Sequence, residues 1–292
     1  MNDVPEKKWF AIDIETDSAA SEAVEYALNA LDALGTEIDS LRKAAGETQR
    51  ITGYFHELPD AELLSHEIRV GLRIYELPTD TAYTLATREV QDADWLAEWK
   101  RHWKPAEIGK YIIAPPWSVV PESDKIVIRI DPSMAFGTGT HETTQLCLKA
   151  IGENLVDGRS FLDVGTGTGI LAIAAAKLTK RSLITACDTD IDSVKIAKEN
   201  AEANGVGERI EFFEGSLAAE TPRSDLVCAN LTIDVIVPIL PELVAKAKDM
   251  LLLSGILDIQ ETTIVDELSR IRISNLEIDR AGEWISVLIR FN

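Results

Sequence analysis

Seven residues, Asp163-Val-Gly-Thr-Gly-Thr-Gly169, constrain this chain more than any other segment. They follow the apolar run Ser160–Val164 and open the helical stretch Ile170–Leu178. Glycines let a backbone turn tightly and let a ligand come close. The helix that starts there offers free N–H groups and a positive dipole end. A strand, a glycine turn and a helix in that order belong to an α/β sheet, and the turn can hold a phosphate or the carboxylate of an amino-acid-like ligand. The next strand, Leu183–Cys187, ends at Asp188, 23 residues after Gly165. An acid at that tip suits a ribose, whose hydroxyls need acceptors.

Two cofactor classes use such an arrangement. Gly167-Thr-Gly169-Ile-Leu-Ala172 fits the loose fingerprint of nicotinamide dinucleotide sites. S-adenosylmethionine (SAM) is the other. Asp163, two residues before Gly165, favours SAM, because it would repel a pyrophosphate and can meet a methionyl ammonium directly or through water. A glycine turn with no ligand is the plain structural reading.

From Lys125 onward, strand and helix patterns alternate. Strands are expected near 126–130, 160–164, 183–187, 210–213, 225–229, 251–259 and 284–291. Helices are expected over 144–155, 170–178, 192–204, 235–250 (interrupted by Pro238 and Pro241) and 264–271. Such alternation implies a mostly parallel sheet covered on both faces. Residues 1–89 read differently. Strand patterns at 9–15, 37–41, 50–55 and 82–87 enclose helices at 19–34, with Ser18 as cap and Gly35 as stop, and from Pro59-Asp60 to about Tyr75. The order βαββαβ suggests a small α+β ferredoxin-like lobe. Between the two parts, Asp92–Lys104 reads as a helix with Trp95, Trp99 and Trp103 on one face, ended by Pro105. The rings pack this connector against a lobe or, alternatively, grip substrate.

Charge separates the same parts. The 292 residues carry a net charge of −20; residues 1–90 hold 18 acidic and 8 basic side chains, and residues 91–130 hold six of each. That acidity argues against direct nucleic-acid binding, which needs clustered Lys and Arg, and favours a basic partner. Cys147, Cys187 and Cys228 are far apart and form neither a disulfide framework nor a metal cage. The polar start with Pro5 is unlike a signal peptide, and no apolar run is long enough to span a membrane. A reduced, soluble, cytoplasmic monomer without metal is the expectation.

A second Gly/Thr segment, Asp131-Pro-Ser-Met-Ala-Phe-Gly-Thr-Gly-Thr-His-Glu-Thr-Thr144, leads into the helix before the cofactor strand. His141-Glu142 is not a zinc motif, because Gln145 stands where a second ligand belongs, and Thr143 and Thr144 read plainly as helix caps. This segment resembles the signature of the bacterial ribosomal protein L11 methyltransferases, the PrmA family. Asp94–Pro105 resembles that family's linker helix, Asp163–Leu178 its SAM loop, and Ala229-Asn-Leu231 with Leu253–Leu257 its substrate-side strand ends.

The resemblance implies a substrate-recognition domain over 1–89, a linker helix over 90–110, and a class I SAM-dependent methyltransferase domain with a seven-stranded, mostly parallel sheet over 111–292. It implies methylation of lysine side chains and the N-terminal amine of a basic ribosomal protein. Carried over by position, Thr144, Gly165, Asp188 and Asn230 contact SAM, with Thr144 reaching in from the second loop, Gly165 under the methionine part and Asp188 on the ribose. Asp163 and Gly167 complete the expected cofactor set. Asn230, near the methyl, is the expected catalytic residue, orienting the amine with its amide oxygen. Asn230-Leu-Thr-Ile233 lacks the Pro-Pro-aromatic run common in amino-methylating enzymes; Phe136 or Trp284 can supply an aromatic face instead. His141 is either a proton acceptor or a loop support. The competing readings are a SAM-dependent lysine methyltransferase of another protein, an NAD(P)-dependent oxidoreductase, and a non-catalytic SAM-binding scaffold.

Overall fold

The computed structural model describes residues 9–31, 33–38, 47–90, 105–130 and 141–291. The chain divides into two compact units, Met1–Trp103 and Lys104–Asn292.

In the first unit the elements run β1 (Trp9–Asp17), a short 3-10 turn (Ser18–Ala20), α1 (Ser21–Ala30), β2 (Gly35–Ile38), β3 (Thr48–Phe55), α2 (Ala61–Ile74) and β4 (Tyr83–Val90). The strands form an antiparallel sheet in the order β2-β3-β1-β4. Alternation along β1 sends Ile12 and Ile14 to one face, where they join Ile51, Val24, Leu28, Ile68 and Leu72 in a core under the two helices. The opposite face is polar. Asp13 accepts from Thr52 Oγ1 at 2.7 Å and from Arg88 Nε at 3.0 Å, and Arg50 pairs with Glu15 at 2.7 Å.

Capping decides the helix limits. Asp60 accepts from the N–H groups of Glu62 and Leu63 and starts α2. Asp17, not Ser18, caps the turn before α1, by accepting from Ala19 N–H. α1 also stops at Ala30 rather than Leu34. The Leu28 carbonyl is taken by both Leu31 and Ala33 N–H, and Leu34 N–H is drawn to Tyr54 of β3, so Gly35 opens β2 instead of ending the helix.

In the second unit β5 (Ala106–Ile108), β6 (Tyr111–Ala114) and β7 (Ile126–Arg129) form a three-stranded sheet. The larger sheet has seven strands in the order β10-β9-β8-β11-β12-β14-β13. These are β8 (Phe161–Val164), β9 (Ile184–Asp188), β10 (Ile210–Glu214), β11 (Ser224–Asn230), β12 (Ala247–Leu257), β13 (Leu276–Ala281) and β14 (Trp284–Arg290). The first five in that spatial order run parallel; β14 pairs antiparallel with both β12 and β13. One face is covered by α3 (Glu142–Asn154) and α4 (Ile170–Leu178), through Leu148, Ile151, Ile173 and Ala176. The other carries α6 (Ile233–Lys246) and α7 (Glu261–Arg270), through Ile236, Leu240, Leu243, Ile264 and Leu268. α5 (Ile191–Ala203) connects β9 to β10 and is capped by Asp190.

Three strands, β5, β6 and β13, were not expected from the pattern. β5 lies inside the span 90–110 expected as a linker helix, so that helix does not reach 110. Its tryptophan-bearing part, 92–104, lies outside the described residues, as do Phe136 and positions 131–140 of the second glycine segment. The helix expected to run to Met250 ends at Lys246, with Pro238 and Pro241 inside it. Ala247–Met250 are extended because β12 pairs with Ser224 and Leu226 of β11 on one side and, from Met250, with β14 on the other.

Gly71 of α2 sets the spacing of the two helices in the first unit. A Cβ there would stand 2.2 Å from the Ala23 carbonyl oxygen of α1, a backbone atom with nowhere to go. Gly71→Ala is expected to destabilise that unit by about 1–3 kcal/mol, read as an earlier urea transition by circular dichroism.

Candidate functional site

The chain leaves β8 for β9 and β10 on one side, then crosses to β11 on the other. The sheet order therefore reverses between β8 and β11. In open parallel sheets a crevice forms at such a point, beyond the carboxyl ends of the strands. Gly165 follows β8 there, Asp188 ends β9 and Asn230 ends β11. Sequence and topology thus bring the glycine turn, the ribose-type acid and the amide to one end of one sheet. At the far end Ser160 and Asp225 lock the same two strands: Ser160 N–H donates to Asp225 Oδ2 at 2.7 Å and Asp225 N–H to Ser160 Oγ at 2.9 Å.

The turn is built by its glycines and by one carboxylate. Gly165, Gly167 and Gly169 have φ of +75°, +52° and +81°, a region costly for other residues. Both Gly165 and Thr166 N–H donate to the Cys187 carbonyl. Asp163 is fully buried; its Oδ2 accepts from Thr166 Oγ1 at 2.7 Å and from Ala172 N–H at 3.2 Å. It therefore braces the turn against α4, a role its position alone did not suggest. Asp188 holds the turn from the neighbouring strand, accepting from Gly167 N–H at 2.9 Å and Asp190 N–H at 3.1 Å.

Two residues of α5 complete the brace and were missed in the sequence. Buried Asn200 donates from Nδ2 to the Thr168 carbonyl at 2.9 Å, and a Cβ on Gly169 would stand 3.0 Å from the Ala197 Cβ. The available signal was an asparagine in a helix interior, where such side chains usually compete with the helix.

On the other side of the switch point, Leu231 follows Asn230. A Cβ on Gly165 would lie 2.4 Å from Leu231 Cδ2, and one on Gly255 2.4 Å from the Leu231 carbonyl oxygen. Asn230 itself is half-buried, pairs with Ser254 of β12, and makes no side-chain hydrogen bond among the described residues.

Thr144 lies in the first turn of α3. His141 caps that helix: Thr143 N–H donates to His141 Nδ1 at 3.3 Å, and Thr143 Oγ1 lies 2.8 Å from the same nitrogen. With Nδ1 accepting from Thr143 N–H, the neutral ring carries its proton on Nε2. Burial also lowers its basicity. These contacts give His141 a loop-supporting role at the start of α3. Its ring meets Trp284 edge-on at 4.9 Å. Trp284 opens β14 opposite Leu257, at the same carboxyl end as Asn230.

Buried oxygens left without a partner test whether a ligand fits. Thr144 Oγ1 and Asp163 Oδ1 are two such atoms among the described residues. Native structures rarely leave such atoms unsatisfied, so a polar ligand or its ordered water suits both.

This sheet, its switch-point glycine turn, the acid closing the second strand and the amide closing the fourth define a class I SAM-dependent methyltransferase. Comparison with known proteins narrows the class. The family model "Ribosomal protein L11 methyltransferase (PrmA)" matches residues 8–292, and the chain belongs to that family. A protein of that name from Caldicellulosiruptor bescii is 34% identical over 96% of this chain and 98% of its own length. One from Ruminiclostridium cellulolyticum is 31% identical over 97% and 98%. A crystal structure of a ribosomal protein L11 methylase from Lactobacillus delbrueckii subsp. bulgaricus superposes with a TM-score of 0.57 at 34% identity, covering 63% of this chain and 96% of that one. The chain is thus a SAM-dependent protein methyltransferase, and the nicotinamide reading of Gly167–Ala172 is not borne out.

Burial pushes the Asp163 carboxyl up to about 7 against the opposing pull of its Thr166 and Ala172 donors. The unfolded chain releases this proton near 3.8, so across that interval the folded state holds more protons and stability falls as pH rises. Asp163→Asn keeps an oxygen acceptor and cannot ionise. Its melting temperature is expected to fall less than that of the wild type between about pH 4 and 7; parallel curves in scanning calorimetry would show that Asp163 stays ionised throughout.

Proposed function

We propose that this chain methylates amino groups of ribosomal protein L11, the ε-amines of lysines and the N-terminal α-amine, as a cytoplasmic monomer. The match over residues 8–292, through both units rather than the cofactor unit alone, carries this reading. No described helix is long and apolar enough to cross a membrane. The net charge of −20 suits a basic protein and opposes direct contact with RNA. The strand order β2-β3-β1-β4 under two helices supports a ferredoxin-like lobe over 1–89 that recognises the substrate.

S-adenosylmethionine supplies, when bound, a methyl group on a cationic sulfur. Asp188 takes the ribose: each of its oxygens holds one backbone N–H and keeps a lone pair for a hydroxyl donor. Gly165 and Gly167 let the backbone approach the methionine part, and the N-terminus of α4 faces its carboxylate. Asp163 and Thr144, through their unpartnered oxygens, serve the ammonium side.

Asn230 accepts an N–H of the incoming amine on its amide oxygen and so aims the nitrogen lone pair. Alignment of this kind is the main work of an in-line displacement. The amine must also be neutral, whereas a free lysine titrates near pH ~10.4. Burial beside a positive charge disfavours the ammonium on both counts, so the proton passes to water before transfer and no dedicated protein base is required. That agrees with a His141 already committed to capping α3.

Incubation of the purified protein with labelled SAM and a ribosomal-protein mixture, followed by mass spectrometry, is expected to label L11 on lysines and its N-terminal amine. A different labelled band identifies another protein substrate, and no band overturns the reading in favour of a scaffold. Asn230→Ala is expected to lower kcat by about 10²-fold while retaining SAM. Asp188→Ala is expected to weaken SAM binding by roughly 10-fold or more in calorimetry.

A further inference from the structure

β4 closes one side of the antiparallel sheet in the first unit, and no strand pairs with its outer edge among the described residues. The ladder fixes which of its backbone groups that edge presents. Ser18 N–H donates to the Glu47 carbonyl, in line with the β1–β3 register, so even-numbered residues of β1 turn their polar groups toward β3. The odd ones, Ala11, Asp13 and Glu15, turn toward β4, where they meet Arg88, Ala86 and Thr84. The intervening residues of β4, Leu85 and Thr87, therefore direct N–H and C=O outward.

Edge strands in soluble proteins are usually short, bulged or guarded by proline or lysine. β2, at the other side of this sheet, is four residues long. β4 has eight, in unbroken register with β1, with neither proline nor lysine. Its six central residues are exposed. Leu85 lies opposite Ile14 on the helix-covered face, yet it is 45% exposed; α2 reaches β4 at Tyr83, whose hydroxyl meets Ser65 at 3.4 Å, and leaves Leu85 open. At Leu85 and Thr87, β4 thus offers outward backbone groups with no strand paired to them among the described residues, and the exposed Leu85 side chain beside them.

We infer that the open edge of β4 binds an extended, lysine-bearing segment of the protein substrate as a fifth strand. This rests on the proposed amine methylation of a basic protein. The excess of acidic over basic residues in 1–90 attracts such a segment. The same excess, carried by each of two copies, opposes edge-to-edge pairing of the chain with itself. Main-chain hydrogen bonds supply the affinity in this mode, and side chains on the Leu85 face add selectivity.

The test is amide hydrogen exchange in the full-length protein with purified ribosomal protein L11. Exchange at Leu85 and Thr87 is expected to slow by about ten-fold or more on binding, while Thr84 and Ala86, already bonded to β1, change little. Thr87→Pro removes one outward N–H without touching the β1 ladder, and is expected to raise KM for L11 by about ten-fold or more; calorimetric SAM affinity checks that the cofactor unit is intact. Methylation of L11 with no protection at Leu85 and Thr87 overturns the inference and leaves the proposed function standing. Protection that grows with the protein's own concentration overturns it in favour of a second copy. If L11 is neither bound nor methylated, the proposed function falls, and the occupant assigned here falls with it.

Discussion

Everything at the carboxyl end of the large sheet depends on how closely three chain segments approach at Leu231. Its side chain fills the space that a Cβ on Gly165 would take, and its carbonyl sits where a Cβ on Gly255 would be. Both glycines adopt positive φ, +75° and +83°. A side chain at either position would meet steric overlap as well as an unfavourable backbone. The consequence is positional. Leu231 is held between the turn after β8 and the bend in β12, so Asn230, its immediate neighbour, is fixed relative to the glycine turn. A reaction that depends on alignment needs that kind of rigidity.

The turn has a second constraint in the buried carboxylate beneath it. Asp163 is sealed from solvent, bonded to Thr166 and Ala172 through one oxygen, and beside the negative charge of Asp188. Without a cation nearby, burial disfavours its ionised form. A ligand ammonium would reverse that balance. If the cofactor's ammonium sits there as proposed, the residue that stiffens the turn also changes charge on binding, and stability and binding are coupled through that proton.

The parts legible in the sequence were those dictated by local chemistry. The glycine turn, the acid 23 residues beyond it and the strand–helix alternation all survive in the structure because each is set by backbone freedom or by side-chain period. What stayed hidden was set by distant partners. β13 and the first four residues of β12 are strands because of what pairs with them. Asn200 and Ala197 matter because α5 lies against the glycine turn, a tertiary contact with no local signature. His141 caps α3 through a contact with Thr143 that spacing alone does not reveal. The helix limits around Asp17 and Leu34 moved for a similar reason, since competing carbonyls and carboxylates near those ends were decided by the fold.

The two units make opposite use of backbone polar groups. In the cofactor unit they are consumed: Cys187 C=O takes two donors, Asp188 two more, and Asp163 anchors the helix start, so the turn is preorganised before any ligand arrives. In the first unit the polar face of the sheet is likewise internally paired, through Asp13, Arg88, Thr52, Arg50 and Glu15. Among the described residues the long edge of β4 has no strand paired to it. Preorganisation suits a small ligand of fixed shape, whose binding is weakened by any rearrangement it must induce. An open edge suits a long flexible one, because a strand partner brings its own complementary row of donors and acceptors and needs no preformed pocket. The contrast is what the proposed division of labour requires: a small cofactor at one sheet end, and an extended polypeptide along an open strand edge.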